Sequence, residues 1–152
     1  MILWKRPYAT DGVIDLYEAN LFGPEEVQDF GEMHDFIITL HGKRREIGRC
    51  SARRGETEAM YYFGHIGYHI DPPWQGHHYA LAACRLLVPL MRSWGLQSCV
   101  ITCDPDNIPS RRTCEHLHAA LERTVPVPLL VRSRWEISPV KCRYILRLEE
   151  SA

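Results

Sequence analysis

The sequence predicts a mixed, mainly antiparallel β-sheet with helices on both faces. In the first half of the 152-residue chain, short apolar segments typical of strands outnumber helical segments. In the second half, two helical segments alternate with two strand-like segments. Pro72 and Pro73 end the central extended segment, because proline cannot continue a sheet ladder. The spacing around the longer helix supports one parallel βαβ unit.

The first half is expected to contain four strands, at residues 13–17, 36–40, 46–53 and 60–70. Gly23-Pro24-Glu25-Glu26 has the proline and the acidic first turn of a helix start. His41-Gly42-Lys43 predicts the hairpin turn between the second and third strands. These turn signals favour antiparallel neighbours over this part of the chain.

The second half begins with a helix at residues 79–94, which Gly95 is expected to end. A strand at residues 99–103 follows, then a helix at 109–119 opened by Pro109. Residues 142–148 predict a closing strand. Helices therefore separate the late strands.

Composition indicates one ordinary globular domain over residues 1–152, with 45% hydrophobic and 24% charged residues. The net charge of −1 gives no attraction to nucleic acid or to an anionic membrane, so neither partner is expected. The longest apolar stretch, residues 79–91, is too short to span a bilayer. The first residues lack the basic-then-apolar pattern of a secretion signal, so a cytoplasmic location is expected.

The cysteine pattern predicts reduced, buried thiols, because all six cysteines lie within apolar segments. A zinc site is the competing interpretation, since Cys99 and Cys103 share one strand face and His77 and His78 are adjacent. No Cys-x-x-Cys or His-Glu-x-x-His spacing occurs. We therefore expect no metal site.

Residues 64–80 combine an extended segment, a short loop and a helix start. The first turn of a helix leaves backbone N–H groups without intrahelical partners, and these groups bind phosphate well. Gly76 would let the backbone come close to an anion, and Gln75, His77 and His78 would add donors. This segment predicts a phosphorylated ligand.

A second segment, residues 98–115, contains a short strand, the turn Asp104-Pro105-Asp106-Asn107 and a helix start. Together the two segments resemble the GNAT superfamily of acyl-CoA-dependent N-acyltransferases. The first segment matches that family's Pro-x-x-Arg-Gly-x-Gly-x-Ala motif at Pro72 or Pro73, Gln75, Gly76, Tyr79 and Ala80. The second matches its Asn-x-x-Ser-x-Arg-x-x-Glu pattern at Asn107, Ser110, Arg112 and Glu115. The resemblance covers residues 35–120 and extends to the strand 142–148.

The sequence departs from the family pattern at three places. His78 stands where the family has its second glycine, and Gln75 stands where it has arginine. His118-Ala119 replaces the Gly-Phe that usually ends the last helix.

The resemblance implies an α/β (α+β) fold whose central sheet has about six to seven strands. This sheet is splayed between the fourth and fifth strands, here residues 60–70 and 99–103, and the pantetheine arm lies in the wedge. Acetyl-CoA is then the cosubstrate. The implied activity is transfer of an acetyl group to a primary amine by direct attack in a ternary complex.

The expected acetyl-CoA contacts follow from the same resemblance. The diphosphate would lie over the backbone of residues 75–80, the pantetheine amides would pair with residues 68–70, and the thioester would lie near Asn107 and Ser110. Considered alone, Asn107 as a turn residue and Ser110 as a helix cap are equally good interpretations, and the resemblance favours ligand contact. The complete set is Tyr68, His69, Ile70, Gln75, Gly76, His77, His78, Tyr79, Ala80, Asn107, Ser110 and Arg112.

Amine acylation requires a base, because a lysine-like amine with a pKa near ~10.4 is mostly charged at pH 7. His65 and His69 are four residues apart, so on the expected strand they project from one face. We predict His65 as the base, directly or through water, with His69 second. The predicted catalytic residues are therefore His65, Asn107 and Ser110. The general acid stays open between Ser110, Tyr79, Tyr144 and unassisted thiolate departure.

The acceptor is expected to be a small-molecule or peptide amine. In the family its site comes from the first helices and the last strands, here residues 21–33 and 124–141, with Tyr17, Glu32 and Trp135 as candidates. A homodimer is expected only by analogy. Two alternatives to an enzyme stay open: a non-catalytic acetyl-CoA-binding or sensor module, and an interaction subunit with a vestigial pocket.

Overall fold

The computed structural model describes residues 6–22 and 31–149. Within these ranges the chain forms two antiparallel sheets and four α-helices. The strands are β1 (Ala9–Thr10), β2 (Ile14–Phe22), β3 (Met33–Leu40), β4 (Glu46–Arg53), β5 (Ile66–Ile70), β6 (Ser98–Cys103), β7 (Ala120–Pro126) and β8 (Val140–Arg147). The helices are α1 (Glu58–Phe63), α2 (Tyr79–Ser93), α3 (Ile108–His116) and α4 (Leu129–Trp135).

The two sheets diverge where the splay was predicted. The first sheet has the strand order β1-β2-β3-β4-β5 and the second has the order β6-β8-β7. An isolated bridge between Gly64 and Ile101 joins them. The predicted fold class is confirmed, although the described residues contain eight strands because β1 and β7 were not predicted. The separated strands are consequently the fifth and sixth along the chain.

The predicted βαβ unit has its connecting helix, but its two strands do not pair with each other. Helix α2 links β5 to β6, yet these strands lie in different sheets, and every ladder among the described strands is antiparallel. The same separation that prevents a parallel ladder opens a wedge between the two sheets.

The hydrophobic core lies between α2 and one face of each sheet. Alternate strand residues point into it because successive side chains of a strand lie on opposite faces. Phe36, Leu87, Met91, Ile101 and Tyr144 are among its most buried members. Ala83 and Cys84 are fully buried, which lets α2 pack closely against the sheets. This packing fixes the start of α2 beside the end of β5.

The prediction of one strand over residues 60–70 is wrong in its first half. Thr57 accepts a hydrogen bond from the Met60 N–H at 3.3 Å and caps α1. Gly64, with φ +78°, ends this helix after Phe63. The strand therefore starts at Ile66, so His65 lies just before it and does not share a strand face with His69 as predicted.

The later elements follow the prediction with shifts of a few residues at their ends. Gly95 has φ +83°, and its N–H donates to the Arg92 C=O, so it ends α2 as expected. His118, with φ +62°, makes the equivalent hydrogen bond to the Glu115 C=O after α3. Helix α3 thus ends earlier than the predicted residue 119.

Two elements, β7 and α4, lie where no element was predicted. Trp135, a candidate acceptor residue, ends α4 with its ring 6.0 Å from that of Phe63. Tyr17 is buried, and Glu32 contacts His34 Nε2 at 2.7 Å. The predicted helix start at Gly23-Pro24-Glu25-Glu26 lies outside the described residues.

All six cysteines are free and buried, which confirms the prediction of reduced, packed thiols. Burial raises the pKa of Cys99 and Cys114 to about 12, and that of Cys103 to about 11. These thiols therefore stay protonated and act as small apolar side chains. In the described ranges, no helix is both long enough and apolar enough to cross a membrane.

Candidate functional site

A groove of about 680 Å³ opens between the end of β5, the start of α2 and the exposed side of α3. This volume falls in the range of small-molecule sites. Eleven of the predicted acetyl-CoA contacts line the groove: Tyr68, His69, Ile70, Gln75, Gly76, His78, Tyr79, Ala80, Asn107, Ser110 and Arg112. His77 does not line it, and neither does His65. The two motifs that were separate in the sequence thus meet at one cavity.

The start of α2 has the geometry of an anion site. Its first intrahelical hydrogen bond runs from the Ala82 N–H to the His78 C=O at 3.1 Å, so the N–H groups before Ala82 have no intrahelical acceptor. Gly76 has φ +89°, and a Cβ placed on it would meet nothing within 4 Å. The backbone is therefore open to a ligand at this point, and the positive end of the helix faces the groove.

His78 adopts the left-handed conformation, with φ +62° and ψ +24°. Glycine enters this region without steric cost, which gives a physical reason for the family's glycine at this position. The His78 ring meets the His116 ring of α3 edge-on, with centroids 5.4 Å apart. Both imidazoles therefore line the groove from opposite sides.

Gln75, which replaces the family's arginine, turns back towards β5. Its Nε2 donates a hydrogen bond to the Ile70 C=O at 2.9 Å. This bond fixes the loop that follows the short 3₁₀ turn Pro72–Trp74. The Gln75 amide thus stabilises the loop beside the groove.

Asn107 is the cap of α3. Its Oδ1 accepts a hydrogen bond from the Ser110 N–H at 3.3 Å. The capping role therefore belongs to Asn107 and not to Ser110, for which capping was one of two interpretations. The Asn107 side chain also lines the groove, so capping and ligand contact are compatible.

A hydrogen bond crosses the groove from β5 to α3. The Tyr68 hydroxyl donates to Ser110 Oγ at 2.8 Å. Burial raises the pKa of Tyr68, so its phenol stays protonated at neutral pH. Because Tyr68 acts as the donor, Ser110 retains its own hydroxyl proton for another acceptor.

The adjacent arginines of α3 have different positions. Arg111 Nε donates to the Tyr144 hydroxyl at 3.0 Å, and its NH1 group donates to the Pro105 C=O at 3.2 Å. Arg111 therefore ties α3 to β8 and to the preceding turn. Arg112 is exposed and lines the groove, which leaves its charge available to an anionic ligand.

His65 lies at the junction of the two sheets and is only 7% exposed. Its Nδ1 accepts a hydrogen bond from the Val100 N–H at 2.9 Å. Its Nε2 lies 3.0 Å from Glu56 Oε1. Both ring nitrogens are therefore engaged by the protein.

His69, the second candidate base, is exposed at the end of β5. Its Nε2 lies 3.4 Å from Asp71 Oδ1. The ring lines the groove but belongs to its solvent-facing part. Within the described ranges, no three His, Cys, Asp or Glu side chains are grouped to hold a metal ion.

Four groove residues were not predicted: Trp74, Pro109, Thr113 and His116. Three of them lie on α3 with Arg112, at relative positions 0, 3, 4 and 7. This spacing defines one face of a helix and was readable from the sequence. Glu56, which contacts His65, was also not predicted, because it lies in the loop before α1 with no motif around it.

Sequence comparison identifies the family. A model of the acetyltransferase (GNAT) domain matches residues 3–120, which is more than three quarters of the chain. A search of curated protein sequences gave no significant match.

Solved structures give the fold at low sequence identity. An acetyltransferase of the GNAT family from Bacillus anthracis has a TM-score of 0.59 and 20% identity, over 76% of this chain and 67% of that one. The ribosomal-protein-S5-alanine acetyltransferase from Vibrio fischeri has a TM-score of 0.60 and 18% identity, over 78% of this chain and 63% of that one. RimJ from Mycobacterium smegmatis, in complex with CoA-disulfide, has a TM-score of 0.58 and 22% identity, over 77% and 54%.

The chain spans between 54% and 67% of the lengths of these three proteins. The wedge between two sheets, the groove at the start of α2 and the match over residues 3–120 agree with one another. The chain belongs to the GNAT acetyltransferase family.

Proposed function

We propose that this protein transfers an acetyl group from acetyl-CoA to a primary amine by direct attack in a ternary complex. The observation that carries the proposal is the groove at the start of α2, which brings together eleven of the expected cosubstrate contacts. The diphosphate would accept hydrogen bonds from the first-turn N–H groups, with His78 and Arg112 beside it. The open backbone at Gly76 leaves room for this approach.

The residues near the thioester have distinct proposed roles. Asn107 caps α3 and so fixes the position of Ser110. Ser110 keeps its hydroxyl proton because Tyr68 donates to it, and this proton would be given to the departing thiolate. Tyr68 therefore orients Ser110, and Ser110 is the proposed general acid.

For the acceptor, we propose the N-terminal α-amine of a protein or peptide. Relatives support this class: one from Vibrio fischeri is a ribosomal-protein-S5-alanine acetyltransferase, and one from Salmonella typhimurium modifies the N-terminal serine of ribosomal protein L7/L12. An α-amine has a pKa of about 7.7–8.0, so only a weak base is needed at neutral pH.

The direct test is release of free thiol from acetyl-CoA in the presence of short peptides with N-terminal serine or alanine. We expect turnover with free peptides and none with the same peptides blocked by an N-formyl group. Spermidine and a lysine-containing peptide with a blocked N-terminus cover other amines. Absence of thiol release with every amine would contradict the proposal.

A second candidate function is acetyl-CoA binding without turnover. The contact between the His78 and His116 rings favours it, because two touching imidazoles in the lining of the groove would hinder rapid exchange of the nucleotide. Calorimetry separates the two functions: saturable binding of acetyl-CoA without thiol release would identify a binding or sensor module.

A further inference from the structure

The hydrogen bonds of His65 fix which of its ring nitrogens carries the proton. The Val100 N–H donates to Nδ1, and a nitrogen can accept a hydrogen bond only through a free lone pair. Nδ1 is therefore unprotonated. The single proton of the neutral ring is then on Nε2, which donates to Glu56 Oε1 at 3.0 Å. In this state neither ring nitrogen has a lone pair available to take a proton from an amine. The His65 ring therefore cannot act as the base in this state, and its Nε2–H holds one oxygen of Glu56.

The Glu56 carboxylate remains accessible. Its side chain is 72% exposed, and one of its oxygens is held by the buried His65 ring. The second carboxylate oxygen can accept a further hydrogen bond. A carboxylate held at one oxygen and open at the other has the form of an oriented base.

Glu56 precedes α1, and α1 packs on the face of the second sheet that is opposite the groove. Thr102 and Arg143 are cross-strand partners on β6 and β8. The Thr102 hydroxyl donates to the Tyr62 C=O at 2.8 Å, and Arg143 donates to the Tyr61 C=O. Their sequence neighbours, such as Ile101, point into the core beneath α2. Strand alternation therefore places α1 and α2 on opposite faces.

This arrangement separates two approaches to the wedge between β5 and β6. The groove lies on the side of α2 and α3, whereas Glu56 lies on the side of α1, next to the bridge between Gly64 and Ile101 where the sheets meet. A ternary complex requires separate positions for the acyl donor and the amine, and the groove and Glu56 flank the wedge on opposite sides.

We propose that Glu56 is the general base of the proposed transfer and that His65 is its positioning residue. The inference rests on the proposed function. The acceptor ammonium gives one proton to the Glu56 carboxylate, and the amine lone pair attacks the thioester carbon. The C–N bond forms, the C–S bond breaks, and the electron pair leaves on sulfur. Ser110 gives its hydroxyl proton to the thiolate and takes the second nitrogen proton in its place, and Glu56 releases its proton to water.

The test is the pH dependence of kcat/KM with acetyl-CoA and an N-terminal serine peptide. In Glu56→Gln, whose amide oxygen still accepts from His65, we expect a loss of about 100-fold near pH 7, the usual size for a removed base. The loss should shrink at higher pH, where the amine deprotonates unaided, and the KM for acetyl-CoA should not change. Glu56→Asp should recover part of the rate. Glu58→Gln, exposed on α1, should match the wild type.

His65→Asn separates the two roles, because Asn Oδ1 can still accept from the Val100 N–H. We expect a reduced rate with the acidic limb of the profile retained. If the acidic limb of the kcat/KM profile disappeared in His65→Asn but remained in Glu56→Gln, His65 would be the base and the inference would be overturned. A wild-type rate in Glu56→Gln would overturn the inference alone. No turnover by the wild type with any amine would overturn both the inference and the proposed function.

Discussion

At the scale of single residues, two histidines hold left-handed conformations in which glycine is more usual. His78 begins α2 and His118 follows α3, and both have φ +62°. A side chain in this region costs about 1–2 kcal/mol relative to glycine. His78 lines the groove and meets His116, whereas His118 does not line the groove. Of the two, only His78 is therefore placed so that a hydrogen bond from its imidazole to a ligand could offset this strain.

We expect His78→Gly to weaken acetyl-CoA binding about fivefold, because one hydrogen-bond donor to the phosphates is worth about 1 kcal/mol. Calorimetry measures this loss. The melting temperature should not fall, because glycine adopts φ +62° without strain.

His118→Gly is the matched control. It relieves the same backbone conformation away from the groove and should leave acetyl-CoA affinity unchanged. Tighter binding by His78→Gly than by the wild type would mean that the imidazole crowds the diphosphate, contrary to the proposed role.

At the scale of elements, the junction of the two sheets depends on Gly64. Its φ of +78° ends α1, and a Cβ at this position would lie 2.7 Å from the Val100 carbonyl oxygen. The His65 N–H, directly after it, donates to the same carbonyl at 2.7 Å. Close approach of the backbones at Gly64 therefore holds β5 and β6 together at one end, and the wedge opens from there.

We expect Gly64→Ala to lower the free energy of unfolding by about 1–3 kcal/mol more than Gly95→Ala does, as overpacking does elsewhere. Gly95 is a close match because its φ is +83°, yet a Cβ there would meet nothing within 4 Å. Both variants place an alanine in the strained left-handed conformation, but only Gly64→Ala adds a steric clash with the Val100 carbonyl oxygen. Urea unfolding measures the difference, and equal losses would show that the close approach is not essential.

Prediction from sequence worked best where a local signal had a single physical cause. Gly95 ended α2 and Pro72 ended the extended segment because these residues restrict the backbone directly. The segment 60–70 failed because its aromatic residues fit both a strand and a short helix. The Thr57 cap and Gly64 favour the helix over the strand in the first part of this segment.

The lining of the groove was easier to predict than the Glu56–His65 contact. Its residues come from two motifs with fixed spacing, so one resemblance placed eleven of them together. The Glu56–His65 contact depends on helix α1, which lies between these two residues and was not predicted, and no periodicity encodes it. Helix α4 lacks a capping side chain among the described residues, so the sequence offered no start signal for it.

At the scale of the whole molecule, each half of the fold has a hydrogen-bonded aspartate whose pKa is lowered: Asp15 on β2 and Asp104 after β6. Burial alone would raise the pKa of Asp15, but hydrogen bonds from His41, Thr10 and Gly42 outweigh it and lower the pKa. In the second sheet, Asp104 accepts from Lys141 Nζ at 2.8 Å and from Ser138. These bonds likewise lower the pKa of Asp104 against the effect of burial.

A carboxylate whose pKa is lower in the folded state stabilises the fold at pH values above its unfolded pKa. This stabilisation is lost as the pH falls through the folded pKa. The unfolded value is about 3.9, so we expect the free energy of unfolding to decrease as the pH falls below about 5. Asp15→Asn should be less stable than the wild type at pH 7 and should lose less on acidification. Denaturant unfolding at several pH values measures both effects.

Asp106→Asn, at an exposed position, is the control and should follow the wild-type dependence on pH. An Asp15→Asn curve parallel to the wild type would show that this buried carboxylate does not contribute to acid sensitivity.

Every proposed role requires acyl-CoA to bind in the groove between α2 and α3, and a crystal structure with saturating acetyl-CoA would show whether it does. We predict a diphosphate within hydrogen-bond distance of the backbone N–H groups at residues 78–80, and a pantetheine arm along β5 towards Ser110. A structure with the His78 ring filling the start of α2 and no nucleotide in the groove would contradict the account.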